Sequence, residues 1–181
     1  MSGRLIATLA GGRISQSRAS EVLRELTEAG VVRCDEHPPA KLYVLNRGHV
    51  AAAAIVSLAT MRERTIERMR AALSDWAPVP SAAWLFGSFA RSDGGTRSDI
   101  DVLVVRPDRV EAEDREWTAQ VAGFTAAVGA WTGNPCSVVD WSEMELAERT
   151  VAGERLVEEI GRDGIPLVGA QRLRRAAPAA R

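Results

Sequence analysis

The stretch "LFGSFARSDGGTRSDIDVLVV", from Leu85 to Val105, contains the pattern that decides the fold of this chain. An apolar run ends at Gly87-Ser88, a glycine-rich loop follows, and the next apolar run begins with two aspartates one residue apart. Alternate side chains of a β-strand lie on the same face. We therefore predict that Asp99 and Asp101 point to one side of a strand while Ile100 points into the core.

The two aspartates are candidate metal ligands. Two carboxylates held side by side repel each other unless a cation neutralises them, and oxygen-only anionic ligands suit Mg²⁺ or Mn²⁺. Upstream, Gly87-Ser88 lies where a predicted strand becomes a helix, a place where glycine permits close backbone approach and free N–H groups attract phosphate. The Ser88 hydroxyl adds a donor. The layout predicts a site for a nucleoside triphosphate and its metal.

These residues resemble the signature of the minimal nucleotidyltransferase family, part of the DNA polymerase β-like superfamily. That signature is Gly-Ser-x-Ala-Arg-Gly, five residues, then Ser-Asp-x-Asp. The chain keeps the five-residue gap and departs only at the second glycine, which is Ser92 here. The matching positions are Gly87, Ser88, Ala90, Arg91, Ser98, Asp99 and Asp101.

The resemblance implies an α+β fold with a mixed sheet flanked by helices. It also implies transfer of a nucleoside monophosphate from an NTP to an acceptor hydroxyl, assisted by two divalent metal ions. Asp99 and Asp101 would bind the metals, and Gly87-Ser88 would hold the β- and γ-phosphates. Arg91 would contact phosphate or remain a solvated surface arginine. Ser98 is the fourth predicted nucleotide-binding residue, and it would shape the loop through local hydrogen bonds.

The third carboxylate, which such enzymes usually supply from the next core strand, is ambiguous. That strand is "CSVVDW" here, and comparable members resemble Val-Asp-Val-Val-Asp-Trp with the first aspartate catalytic. On this alignment Ser137 occupies the catalytic position and Asp140 matches the second aspartate. We predict Asp140 as the third catalytic acid, although in a regular strand it would face away from Ser137 unless a bulge or the strand end turns it inward. Alternatively, Asp140 is a strand-end residue whose charge favours the start of the next helix.

The N-terminal residues 1–47 are predicted to form a reduced winged-helix module. In "SQSRASEVLRELTEAG", Ser15 can cap a helix and Gly30 can stop it, and "VVRCD" and "KLYVL" then predict a hairpin. A helix followed by a two-stranded ribbon is typical of winged helices, yet only "RLIATLAGG" precedes it, so the first helix is missing. Gln16, Ser17 and Arg18 would face a DNA groove. A structural or dimerising role is the alternative.

The other predicted boundaries follow changes in composition. Residues 48–77 are predicted to form a long connecting helix that ends before "APVPS". Residues 78–169 alternate strand and helix patterns, including a capping box from Ser142 to Glu145, and are predicted to form the nucleotidyltransferase domain. Residues 170–181 are an arginine-rich tail.

Composition limits the class of protein. The 181 residues are 46% hydrophobic and 26% charged with a net charge of −1, which is typical of a globular protein with no global attraction to nucleic acid or membranes. No uncharged run is long enough to span a bilayer, and the N-terminus lacks the apolar stretch of a signal peptide. Cys34 and Cys136 lack metal-binding spacing and indicate reduced thiols in a cytoplasmic protein.

Two functional hypotheses follow. The first is a magnesium-dependent nucleotidyltransferase that uses an NTP, with ATP favoured, to modify a hydroxyl on a protein or small molecule. Some members that resemble it are antitoxins that nucleotidylate a HEPN toxin. This chain shows no HEPN-type Arg-x(4–6)-His motif, so such a toxin would be a separate protein. The alternative is a DNA-binding transcriptional regulator whose degenerate transferase domain senses nucleotide, a reading favoured by Ser137 and the winged-helix pattern. DNA and a second subunit of a homodimer are the further partners considered.

Overall fold

A computed structural model describes residues 1–9, 14–37, 40–92 and 98–169. The chain divides into two compact units, Met1–Met61 and Arg62–Arg181. This division falls inside the segment 48–77 that the sequence predicts as a connection. The predicted tail 170–181 and the five-residue gap of the signature, 93–97, lie outside the described residues.

The first unit contains two helices, a hairpin and a third helix. Its elements are α1 (Gly3–Leu9), α2 (Gln16–Glu28), β1 (Val32–His37), β2 (Ala40–Leu45) and α3 (Ala52–Ala59). The Ser15 side chain accepts a hydrogen bond from the backbone N–H of Arg18 and so caps α2. The two strands pair antiparallel, and Ser2 bridges to Leu42 at the outer strand. The predicted helix and hairpin are therefore confirmed.

The predicted long connecting helix is instead two helices, α3 and α4 (Met61–Ser74), with a break at Thr60. The Thr60 hydroxyl donates to the backbone carbonyls of Val56, at 2.9 Å, and Ser57, at 3.4 Å. Thr60 itself has a φ of −100° and a ψ of 11°, outside the helical range. The sequence predicted one helix because no proline or glycine interrupts this segment.

The second unit is built on a four-stranded mixed sheet. Its strands are β3 (Ala82–Phe86), β4 (Ile100–Arg106), β5 (Cys136–Ser142) and β6 (Ile165–Val168), in the spatial order β5-β4-β3-β6. The β4–β5 pair is parallel, and β3 is antiparallel to both β4 and β6. This arrangement confirms the predicted α+β class with a mixed sheet.

Helices cover both faces of this sheet. They are α4, α5 (Gly87–Arg91), α6 (Arg115–Thr132), α7 (Glu143–Val151) and α8 (Arg155–Asp163). Alternate side chains of β4 point to opposite faces of the sheet, so this strand contributes to a hydrophobic core on each face. Val102 and Val104 pack with residues of α4 and α6, whereas Leu103 and Val105 pack with residues of α7 and α8. Asp101 is two residues from Leu103 in the same strand, so its side chain lies on the same face of the sheet, the one that α8 covers.

The predicted capping box is present at the start of α7. Ser142 accepts from the backbone N–H of Glu145, and the Glu145 carboxylate accepts from the backbone N–H of Ser142. Across the ranges that the structure describes, we find no helix with the length and apolar character needed to span a bilayer.

Candidate active site

The glycine turn and the second aspartate are in direct contact. Phe86, the last residue of β3, pairs with Asp101 across the sheet. Gly87 follows with a φ of +71°, a left-handed conformation that residues with a side chain rarely adopt. A Cβ atom at Gly87 would overlap the Asp101 Oδ2 and lie 3.4 Å from its Cγ. Glycine is therefore required here both for its backbone conformation and for the space that the carboxylate occupies.

The charge of Asp99 acts on the carboxyl of Asp101. Asp101 is half-buried in β4, whereas Asp99 is exposed just before the strand begins. Ile100 between them is fully buried. Burial raises the pKa of the Asp101 carboxyl, and the negative charges of Asp99 and Glu159 raise it further. A cation bound between the two acids would relieve this unfavourable interaction.

A loop between α6 and β5 anchors the start of β4. The Asn134 side chain donates through Nδ2 to the Ser98 carbonyl at 2.9 Å, and the Ile100 N–H donates to the Pro135 carbonyl at 2.8 Å. These bonds lie on either side of Asp99, so they fix the backbone that carries it. Ser98 thus contributes through its backbone to the shape of this region.

Helix α5, which carries Ser88 and Arg91, is held from outside by Arg62 of α4. The Arg62 guanidinium donates to the carbonyls of Phe89, at 3.2 Å, and Ala90, at 2.6 Å. The last carbonyls of a helix have no partner within it, and a cation at this end is favourable. Ala90 is buried, which gives α5 a second anchor in the core.

Substituting Arg62 with alanine is expected to lower the free energy of unfolding by about 1–3 kcal/mol, the value of hydrogen bonds to a charged group. If α5 holds a nucleotide as the sequence predicts, the affinity for ATP should fall as well, because α5 would lose the contacts that fix its orientation. Thermal denaturation and calorimetric titration with ATP would measure both effects. The exposed Arg64 of the same helix provides the matched control, Arg64→Ala, which should change neither quantity. Unchanged stability of Arg62→Ala would contradict this role.

The one departure from the signature lies at a position with unusual backbone geometry. Ser92 follows α5 with a φ of +61°, the left-handed conformation common at helix C-termini. Glycine adopts this conformation without strain, which explains why the signature has glycine there. Serine occupies the position at a conformational cost of about 1–2 kcal/mol and preserves the end of α5.

Arg91 is engaged in an ion pair with α8. Its Nη1 lies 2.9 Å from the Glu159 Oε1, and the two side chains are only 34% and 29% exposed. Glu159 is also one of the charges that raise the pKa of Asp101. Arg91 therefore lies beside the predicted site, and Glu159 links it electrostatically to the aspartates.

The structure does not bring Asp140 to the other two aspartates. Asp140 pairs with Val104 in the parallel register, whereas Asp101 pairs with Ser137. By alternation, Asp140 therefore projects to the face that α6 covers and Asp101 to the opposite face. The Asp140 Oδ2 accepts a hydrogen bond from the Trp117 Nε1 at 2.9 Å. Because β5 continues regularly beyond Asp140, no bulge or strand end turns it inward, and the predicted third acid is corrected to a core-side residue.

Asp140 also faces a buried cation. The Nη1 of Arg106 lies 3.9 Å from the Asp140 Oδ1, and the arginine side chain is 8% exposed. A buried charge requires compensation, so Asp140 serves the packing of β4, β5 and α6. Nothing local in the sequence indicated that Arg106 is buried, because an arginine at the end of an apolar strand is typical of an exposed strand end.

Ser137, the register neighbour of Asp101, is exposed. Cys136 beside it is half-buried, and burial followed by the charge of Asp101 raises its thiol pKa to about 11. This thiol stays protonated at neutral pH and adds no charge to the site. In the part of the chain that the structure describes, no group of three or more His, Cys, Asp or Glu side chains is arranged to hold a metal ion.

The predicted DNA-facing residues lie together at the start of α2. Gln16, Ser17 and Arg18 are all exposed. The Arg18 Nη1 pairs with Glu21 at 2.7 Å, and the Ser17 hydroxyl is 2.9 Å from that of Ser15. Any phosphate contact by Arg18 would compete with this ion pair.

Three residues that position the site were missed in the sequence. Arg62, Asn134 and Glu159 reach it from α4, the α6–β5 loop and α8. Each contact joins residues at least 27 positions apart. The residues next to an arginine, asparagine or glutamate in the sequence do not indicate which distant residue its side chain will contact.

Comparison with known proteins agrees with this description. A family model described as "Nucleotidyltransferase domain" matches residues 66–157, just over half of the chain. No curated protein matches the chain.

Solved structures with partial similarity include two of toxin–antitoxin systems. A mutant of the toxin–antitoxin MntA-HpeT is 20% identical, with 59% of this chain and 74% of that chain covered and a TM-score of 0.40. A toxin–antitoxin with AMP-PNP is 24% identical, with 60% and 74% covered and a TM-score of 0.40. A third, from Sulfolobus solfataricus, is 20% identical, with 63% and 85% covered and a TM-score of 0.38. On the match of the family model, the chain belongs to the nucleotidyltransferase domain family.

Proposed function

We propose that this protein is a metal-dependent enzyme that transfers a nucleoside monophosphate from an NTP, preferably ATP, to an acceptor hydroxyl. The observation that carries the proposal is the contact between the Gly87 turn and the Asp101 carboxylate. A triphosphate lying along this turn would have its charged oxygens beside the two acids that hold the metal. The two neighbouring carboxylates do not serve the stability of the fold, because their charges repel each other.

The donor set fits Mg²⁺ or Mn²⁺, and members of this family generally use divalent metals. Mg²⁺ is commonly bound by one or two carboxylates together with substrate phosphates. Asp99 and Asp101 would supply two carboxylates for such a site. When bound, the cation would neutralise charge on the phosphate oxygens. Because Gly87 has no side chain, the Asp101 carboxylate can lie directly against the turn that would hold the phosphates.

In the proposed reaction the acceptor oxygen forms a bond to the α-phosphorus while the bond from that phosphorus to the β-bridging oxygen breaks. Pyrophosphate leaves with the electron pair, and the hydroxyl proton passes to water. Gly87 and the Ser88 hydroxyl would hold the β- and γ-phosphates, and Arg91 would add a charged donor to phosphate. Because Ser137 stands where a third acid is expected, we expect catalysis to be slow.

The acceptor is proposed to be a hydroxyl on a protein or a small molecule. An antitoxin-like role is included, in which the acceptor belongs to a separate HEPN toxin. Nucleoside triphosphates are cytoplasmic substrates, so the cytoplasm is the proposed location. Incubation with labelled ATP and Mg²⁺, followed by separation of proteins and small molecules, tests the proposal. We expect label in an acceptor, whereas ATP binding without transfer to any protein or metabolite would favour a nucleotide sensor.

The second candidate is a DNA-binding regulator with a nucleotide-sensing transferase domain. Within the first unit, α2 is followed by a hairpin, and Gln16, Ser17 and Arg18 are exposed at the start of that helix. This order supports a winged-helix module. Helix α2 carries more glutamates than arginines, and both of its arginines are paired, Arg18 with Glu21 and Arg24 with Glu28, so we expect weak phosphate attraction.

Under the DNA-binding hypothesis, Arg18→Ala is expected to weaken binding to double-stranded DNA and to reduce the slope of log affinity against log salt by about 1. The loss of one phosphate contact would cause both changes. Fluorescence anisotropy at several salt concentrations measures them. Arg24→Ala, in the second half of the same helix, is the matched control. Binding that does not depend on Arg18 would contradict this assignment of the groove-facing residues.

A further inference from the structure

A cavity of about 550 Å³ lies between α5 and α8, and all the described residues that line it are charged. Arg91 comes from the end of α5. The others are spaced three, four and seven residues apart along α8, so they lie on one face of that helix. They are Arg155, Glu158, Glu159 and Arg162. Three arginines against two glutamates make the lining net positive.

The cavity adjoins the proposed nucleotide site. Helix α8 packs through Val157 and Ile160 on the sheet face to which Asp101 belongs. Glu159, which lines the cavity, is close enough for its charge to act on Asp101. Arg91 follows Gly87 by four residues in the same short helix. An extended anion held at the glycine turn therefore has this cavity beside it.

The arginines retain capacity to bind an anion. The Glu159 carboxylate is neutralised by Arg91 at 2.9 Å. Arg162 donates from Nε to Asp163 at 2.9 Å, and its side chain is 70% exposed. Arg155 is exposed at the start of α8. The planar guanidinium group carries five N–H donors and matches the geometry of phosphate oxygens.

We propose that Arg155 and Arg162 bind the pyrophosphate end of the NTP and stabilise it as the leaving group, an inference that rests on the proposed nucleotidyl transfer. When the bond from the α-phosphorus to the bridging oxygen breaks, negative charge develops on the pyrophosphate. Charged donors placed where this charge appears lower the barrier. These arginines lie outside the signature, on a helix near the C-terminal end of the domain.

Inorganic pyrophosphate is the probe for this inference, because its binding requires no chemical step. We expect the full-length protein to bind it in isothermal titration calorimetry. The double variant Arg155→Gln/Arg162→Gln should bind it at least about tenfold more weakly, since each lost charged hydrogen bond is worth that order of affinity. The exposed pair Arg64→Gln/Arg115→Gln is the control and should bind like the wild type. Equal melting temperatures would establish that all three proteins are folded.

Competition shows whether the cavity holds the leaving group. Pyrophosphate should displace a non-hydrolysable ATP analogue from the wild type. The inference is overturned if the wild type does not bind pyrophosphate, if the double variant binds it equally well, or if both ligands bind at once. If arginine-dependent, competitive pyrophosphate binding is found in a protein that transfers no label, the assignment of the cavity stands and the proposed transfer fails. In an active protein, the double variant should also raise the KM for ATP.

Discussion

Replacing Asp101 with asparagine is expected to reduce nucleotidyl transfer by at least about 100-fold, because metal stabilisation of transition-state charge is worth several kcal/mol. Asn keeps the shape of the side chain but removes the charge that the cation requires. The variant should unfold at the same or a higher temperature. Burial raises the pKa of the Asp101 carboxyl, so the ionised form destabilises the folded state at neutral pH, and Asn removes that charge. Labelled-ATP transfer and thermal denaturation measure the two effects.

Asp140→Asn is the matched control for this experiment. Asp140 projects to the other face of the sheet, where it accepts a hydrogen bond from Trp117 and faces Arg106. The amide oxygen of Asn can still accept from the indole, but Arg106 loses its charge partner, so this variant should be less stable. Its transfer rate should stay within about threefold of wild type when folded, because Asp140 does not face the site. A threefold change corresponds to about 0.7 kcal/mol in the activation free energy. Equal losses of transfer in the two variants would contradict the assignment of the site to one face of the sheet.

Gly87→Ala is the second change with a large expected effect. A Cβ atom at this position would overlap the Asp101 carboxylate, and an alanine at a φ of +71° costs about 1–2 kcal/mol in conformational energy alone. The carboxylate or the turn must therefore move. We expect the free energy of unfolding to fall by about 1–3 kcal/mol and the transfer rate to fall at least about 100-fold. Chemical denaturation and the transfer assay provide the measurements.

Gly30→Ala is the control that distinguishes the effect of backbone strain from the effect of displacing the Asp101 carboxylate. Gly30 has a φ of +74°, and a Cβ atom there would lie 3.9 Å from His49, an ordinary contact. This control belongs to the other compact unit. It should lose about 1–2 kcal/mol of stability but keep its transfer rate at temperatures where it is folded. If Gly87→Ala transferred nucleotide as well as Gly30→Ala does, the close approach of the turn to Asp101 would have no role in the reaction.

The fold of the second unit was predictable where the chain pattern is local. Alternation in β4 placed Ile100 in the core, and Gly87 marked the turn from strand to helix. The capping box at Ser142 marked the start of α7. The break at Thr60 was missed because no proline or glycine marks it in the sequence.

The site was predictable only where it coincides with the signature. Gly87 and Asp101 lie 14 positions apart in sequence, yet the antiparallel pairing of β3 with β4 brings them into contact. The face to which Asp140 projects depends on whether β5 is regular or bulged, and the short sequence of this strand does not indicate which. Glu159 entered the site through the packing of a helix 58 residues downstream of Asp101. Long-range packing of this kind has no counterpart in local spacing.

Binding of Mn²⁺, followed by electron paramagnetic resonance with and without an ATP analogue, tests the central claim most directly. We predict that the wild type binds Mn²⁺ together with the nucleotide and that both Asp101→Asn and Gly87→Ala lose this joint binding, while Asp140→Asn retains it. Joint binding that survives in Asp101→Asn would contradict the claim that the aspartates and the glycine turn form one site for a metal and a triphosphate.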